Sequence, residues 1–155
     1  MSKAFTRESD DAPEPTPATR PLAIPGGKNY LTPAGEKRLR AELEQLTKPE
    51  ALASPESRQR LLYLQQSLAI AVIVPAPAPP WEQVLFGATV TVRDSAGELS
   101  QYRIVGIDET DLDRDWVSWS SPVARALLKA QLGQKIKFRT PAGEQNWEIT
   151  GITYE

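Results

Sequence analysis

The sequence predicts an α+β protein: a short antiparallel helical hairpin, followed by an antiparallel sheet with one helix. Three observations carry that prediction. Leucines recur at helical spacing between residues 39 and 68, which places them on one face of each helix. After Trp81 the apolar period changes to two, as a half-buried strand requires. Between these stretches lies Pro75-Ala-Pro-Ala-Pro-Pro80, where proline fixes φ and removes donors, so this segment reads as a stiff linker.

Residues 1–28 contain prolines 13, 15, 17, 21 and 25, Gly26-Gly27, mixed charge and few large apolar side chains. That composition reads as a disordered tail. Order begins at Asn29, and residues 29–74 read as the hairpin. Thr32 suits an N-cap, Pro33 the first helical position and Glu36 the positive helix end. Leu39, Leu43 and Leu46 follow on one stripe, and Pro49 stops the helix by disfavouring helical geometry at Lys48. Ser54 and Pro55 repeat the start signal, and Leu61, Leu64 and Leu68 supply the facing stripe. Lys48 to Ala53 reads as the connecting loop. Each helix has about 15 residues, so the hairpin projects only ~22 Å. Its base must pack on something. Ala69 to Val74 reads as a strand or a buried exit.

Residues 81–155 read as the sheet. Val84 to Arg93 and Glu98 to Ile107 form a hairpin across Asp94-Ser-Ala-Gly97. Lys135 to Arg139 and Asn146 to Thr153 form another across Thr140-Pro-Ala-Gly143. Between them, Trp116 to Trp119 reads as a strand that turns through Ser120-Ser121-Pro122 into a helix ending near Gly133. The pentapeptide Thr-Pro-Ala-Gly-Glu occurs at 32–36 and again at 140–144. The downstream leucines make the first a helix start; alternating Phe138 and Trp147 make the second a turn.

The chain has no cysteine and no histidine. Disulfides, thiol nucleophiles, zinc sites of the usual kind and Ser-His-Asp triads are therefore excluded. A net charge of −2 gives no global field for nucleic acid. Asp108, Glu109, Asp111, Asp113 and Asp115 lack the glycine and terminal glutamate of a calcium loop, and read as a solvated loop. Lys37, Arg38, Arg40, Arg58 and Arg60 are interleaved with glutamates, which suits a salt-bridged surface better than an RNA track. Trp81, Trp116, Trp119 and Trp147 read mostly as core, with Trp119 the candidate for an exposed contact. No apolar stretch is long enough to span a bilayer, and the first residues lack a signal-peptide core. The expectation is a soluble cytoplasmic protein with no cofactor and no metal.

Several segments, in order, resemble the bacterial Gre transcription factors. MSKAFTRE is similar to a GreB-type start, NYLTPAGEKRLRAELEQL to the opening of the Gre coiled coil, and RLLYLQQSL to its returning end. VLFGATVTVRD, YRIVGIDETDLD, WVSWSSPVARALL and the final TPAGE with WEI resemble the Gre C-terminal domain. The resemblance implies an FKBP-like C-terminal domain that docks on the β′ coiled coil of RNA polymerase, at the rim of the secondary channel. It also implies a coiled coil that enters the channel and offers acidic tip residues to the catalytic Mg²⁺.

Carried over by position, Ser120, Ser121 and Pro122 form the docking surface, to which we add Trp119 and Arg125. In many relatives an acidic residue stands where Ser120 is. The sequence departs from the family at the tip. Only thirteen residues separate Leu46 from Arg60, and no string like the family's acidic motif occurs. A hairpin this short falls well short of a metal that needs oxygens within about 2.1 Å. In length it is also similar to the regulator of nucleoside diphosphate kinase (Rnk). The expectation is a monomeric polymerase-binding regulator that is not an enzyme, lacks transcript-cleavage stimulation, and reads no nucleic-acid sequence. The alternatives are a cleavage factor using Glu50 or Glu56, and a peptidyl-prolyl isomerase needing an aromatic pocket.

Overall fold

The computed structural model describes residues 28–155; the reading of residues 1–27 as a tail lies outside the described residues. Strand β1 (Asn29–Leu31) leads directly into helix α1 (Pro33–Leu46). Thr32 is extended and its hydroxyl accepts from the Gly35 amide at 3.0 Å, with Pro33 at the first helical position. Helix α3 (Pro55–Ala69) starts on Ser54 in the same way, with a longer bond of 3.4 Å from Ser57. The segment read as a plain loop contains one helical turn, α2 (Pro49–Leu52). Pro49 supplies the φ of its first position, and the Lys48 carbonyl accepts from Ala51 and Leu52.

Leu39, Leu64 and Leu68 are buried between the helices together with Leu31 of β1. Glu42 and Arg60 join the helices by two hydrogen bonds of 2.7 and 3.2 Å. Both side chains are more than a third exposed, so the pair contributes at most ~1 kcal/mol. Strand β2 (Ala71–Ile73) pairs in parallel with β1. Neither three-residue strand has enough length to show a period, which is why β1 escaped the sequence reading.

The second sheet holds β3 (Thr89–Arg93), β4 (Leu99–Val105), β5 (Trp116–Ser118), β6 (Lys135–Thr140) and β7 (Gly143–Thr153), in the order β5-β4-β3-β7-β6. The α+β class holds, but β4 and β5 run parallel where an all-antiparallel sheet was expected. The chain between them makes two 3-10 turns, at Ile107–Glu109 and Leu112–Arg114, instead of a tight hairpin, and so re-enters the sheet in the same direction. Strand β3 begins five residues later than expected. Val84 instead exchanges backbone hydrogen bonds of 2.8 Å with Lys129 and Ala130.

That exchange also shortens the one helix beside this sheet, α4 (Pro122–Leu127). Leu128 leaves helical geometry and Lys129 takes φ 70°, so the helix stops well before Gly133. The core beneath is built from Val84, Val90, Val92, Ile104, Leu127 and Ile149, all fully buried. Trp147 closes one end of it, stacked on Tyr102 at 5.5 Å and tilted against Phe138 at 5.0 Å.

Candidate functional site

The corner at residues 116–128 is built by β5 and α4. Parallel pairing with β4 fixes Trp116, whose ring lies 4.6 Å from the Arg103 guanidinium and 5.2 Å from that of Arg114. The Trp119 amide donates to the Val105 carbonyl at 2.9 Å and ends the strand. Ser118 and Ser120 share a hydrogen bond between hydroxyls at 2.8 Å, and the Ser118 hydroxyl also accepts from the Ser120 amide at 3.2 Å. Ser121 caps α4 by accepting from Ala124 at 3.2 Å. Pro122 and Arg125 are exposed and lie three residues apart, on one helix face. Ser120, Ser121, Pro122 and Arg125 therefore stand together at the start of α4.

Trp119 is placed differently. Its indole is half-buried, packs on the sheet core, and meets Tyr30 edge-on at 5.2 Å. Tyr30 belongs to β1, and its ring also contacts Phe86 at 5.8 Å. Trp119 thus links the corner to the base of the helical hairpin. The four tryptophans have separate neighbours: Trp81 packs on Tyr154, Trp116 on two arginines, Trp119 on Tyr30, and Trp147 on Tyr102 and Phe138. They line no shared aromatic pocket of the kind an isomerase reading needs.

The solvated acidic loop is a second point on which the structure corrects the sequence reading. Glu109 is 2% exposed. Its carboxylate accepts from the Thr32 amide at 3.0 Å, from the Thr32 hydroxyl, and from the Gly106 amide at 2.8 Å. Asp108 accepts from the Tyr63 hydroxyl and from Ser67 at 2.7 Å. Burial, and then the hydrogen bond to Asp108, push the Tyr63 hydroxyl well above the usual tyrosine range. Ser67 in turn accepts from the buried Asn29 side chain at 2.8 Å. A buried carboxylate is tolerated only where its oxygens are hydrogen-bonded, and here every partner of Glu109 except the Gly106 amide comes from the hairpin. Asp111 turns its carboxylate to the Asp113 amide and Arg114.

Nothing in the local string distinguished Asp108 and Glu109 from Asp111, Asp113 and Asp115. The one available signal was Gly106, just before them, where an added Cβ would run into the Tyr30 carbonyl. At the hairpin tip, Glu56 is fully exposed, and the Ser54 hydroxyl and its own backbone amide lower its pKa. Glu50 lies on α2.

Residues 78–154 match the family model for the C-terminal part of the transcription elongation factors GreA and GreB. The GreB elongation factor of Pseudomonas aeruginosa is 35% identical over 155 aligned positions, which cover 83% of this chain and 92% of that protein. The chain belongs to the GreA/GreB family. GreB of Neisseria meningitidis is 34% identical over 82% of the chain, and GreA of Francisella philomiragia 34% over 83%. The Pseudomonas alignment is as long as the whole chain yet uses only 83% of it, so positions of that GreB stand opposite gaps here. Among solved structures, a GreA/GreB factor from Nitrosomonas europaea is 26% identical, covers 82% of the chain and all of its own, and superposes with a TM-score of 0.46. Gfh1 of Thermus thermophilus is 23% identical with a TM-score of 0.43.

This Gre-family chain is therefore a transcription elongation factor by descent, as its relatives are named. The expectation that it is not an enzyme is corrected here. The relatives that show the family are named transcription elongation factors, a class of proteins that stimulates RNA cleavage by RNA polymerase, so the flat exclusion is not retained.

Proposed function

We propose that this Gre-family protein docks on RNA polymerase at the rim of the secondary channel and leaves transcript cleavage unstimulated. The length of the hairpin carries the proposal. Helix α1 has 14 residues and α3 has 15, which at 1.5 Å per residue gives arms of ~21 and ~22 Å. A carboxylate acts on a metal only by direct or single-water approach, so arm length limits what the tip reaches.

Ser120, Ser121, Pro122 and Arg125 form the docking face, against the β′ coiled coil, with Trp119 behind them. Three features support that choice: the residues adjoin one another, two of them are exposed, and the cap on Ser121 fixes their geometry. The protein acts as a monomer in the cytoplasm, where its partner is found. Among the described residues no helix is long and apolar enough to cross a membrane.

The deciding experiment is transcript cleavage by backtracked polymerase. Alone, the protein should leave cleavage at its intrinsic rate; added to a cleavage-active Gre factor, it should slow that factor. Stimulation that disappears with Glu50→Gln or Glu56→Gln would overturn the proposal in favour of an active tip. Capture on the β′ coiled coil should weaken when Pro122→Ala is combined with Ser120→Arg. Binding indifferent to that pair would remove the corner from the docking surface.

A further inference from the structure

Asp108 and Glu109 sit on the turn between β4 and β5, yet every side-chain partner they have outside that turn belongs to the hairpin. Glu109 holds the first residues of α1 through the amide and hydroxyl of Thr32. Asp108 holds α3 through Tyr63 and Ser67. Both helices are therefore gripped by adjacent residues of the other half of the molecule. Gly35 shows how close the approach is, because a Cβ there would fall within the Glu109 carboxylate. A third contact of different chemistry joins the same two bodies, where Tyr30 meets Trp119 and Phe86.

An apolar side chain would fill the Glu109 site at less desolvation cost than a carboxylate. What a carboxylate adds is direction: its two oxygens accept from three donors at fixed positions, which slides and rotations would break.

We infer that Asp108 and Glu109 are positioning residues that set the direction in which the hairpin projects from the corner at Ser120 to Arg125. The hairpin and the corner then behave as one body, and any partner seated on the corner receives the tip at a fixed angle. The use made of that angle rests on the polymerase-docking reading; the fixed angle itself does not.

The test measures the free protein. The chain has no cysteine, so Ala53→Cys at the hairpin tip and Ser95→Cys on the β3–β4 turn, both exposed positions, take spin labels cleanly. Electron–electron distances between them should form a single narrow distribution. Glu109→Ala should widen that distribution about twofold as further orientations become populated. Glu109→Gln keeps an acceptor for the two amides and a donor for the Thr32 hydroxyl, and should restore the narrow distribution. A merely stabilising role would lower the unfolding midpoint without widening the distances in folded molecules.

Tryptophan fluorescence checks that the sheet is intact in each variant. If Glu109→Ala does not fold, Asp108→Asn with Tyr63→Phe loosens the second grip and should widen the distribution in its place. A broad distribution in the unaltered protein would overturn the inference. So would a narrow, unmoved one in Glu109→Ala or, where that variant does not fold, in Asp108→Asn with Tyr63→Phe. Because polymerase is absent, failure to dock leaves this result standing, and a widened distribution leaves the docking proposal untouched.

Discussion

Gly35 lies inside α1, where alanine would ordinarily be better by about 1 kcal/mol. Here the space a Cβ needs is taken by Glu109. We expect Gly35→Ala to destabilise the protein by ~1–3 kcal/mol through overpacking, measured as a lowered urea midpoint. In a Glu109→Ala background most of that cost should vanish, a coupling that a double-mutant cycle detects directly. The second copy of the pentapeptide shows how little the string alone decides. Its glycine, Gly143, takes φ 127° at the β6–β7 turn, and an added Cβ there meets nothing. The two glycines are kept for different reasons, and only their distant neighbours separate them.

Helix starts make the same point at the next scale. Thr32, Ser54 and Ser121 are caps each followed by proline; the first two were legible because a cap and its helix are adjacent in sequence, while the sequence left the third open between Ser120 and Ser121. Their weights differ. Ser54→Ala at the hairpin tip should cost only ~0.5 kcal/mol, near the low end for a cap. Thr32→Ala also strips a donor from the buried Glu109, which adds ~1–3 kcal/mol; thermal unfolding of the two variants should rank them in that order. Helix α3 carries a pH dependence through Tyr63. Its hydroxyl is held above the ordinary tyrosine value by burial and by Asp108, so the folded state retains a proton that the unfolded chain loses above about pH 10. The associated stability is complete below that pH and declines as pH rises toward the folded value. Tyr102 and Tyr154 are raised as well, chiefly by burial. Tyr63→Phe should therefore make the alkaline fall in urea stability shallower without removing it.

At the scale of the molecule, the hairpin has only four buried apolar residues of its own, one of them from β1. That is a small core for two helices of 14 and 15 residues, a length at which helices are marginal in water without tertiary packing. Its stability is consequently tied to the sheet through Asp108, Glu109 and Tyr30. All four tryptophans lie beyond residue 80, so fluorescence reports on the sheet, while helical circular dichroism is dominated by the hairpin. The two signals should trace one coincident urea transition in the unaltered protein, as two-state unfolding requires. In Glu109→Ala the helical signal should be lost first.

The sequence by itself determined the two long helices of the hairpin, their caps and their leucine stripes, and the start of α4, because each depends on residues within a few positions of one another. The period-two stretches likewise placed most of the second sheet. The corner at Ser120 to Arg125 was visible as a strand-to-helix turn, and similarity to the family named it a surface of interest. What only the tertiary structure decided is which acidic residues matter. Glu109 and Thr32 are 77 positions apart, and burial of a carboxylate depends on what the other half of the chain brings to it. The same holds for the parallel pairing of β1 with β2 and of β4 with β5. Pairing partners and buried charges are properties of the assembled molecule, since the free energy that selects them is supplied by groups distant in sequence.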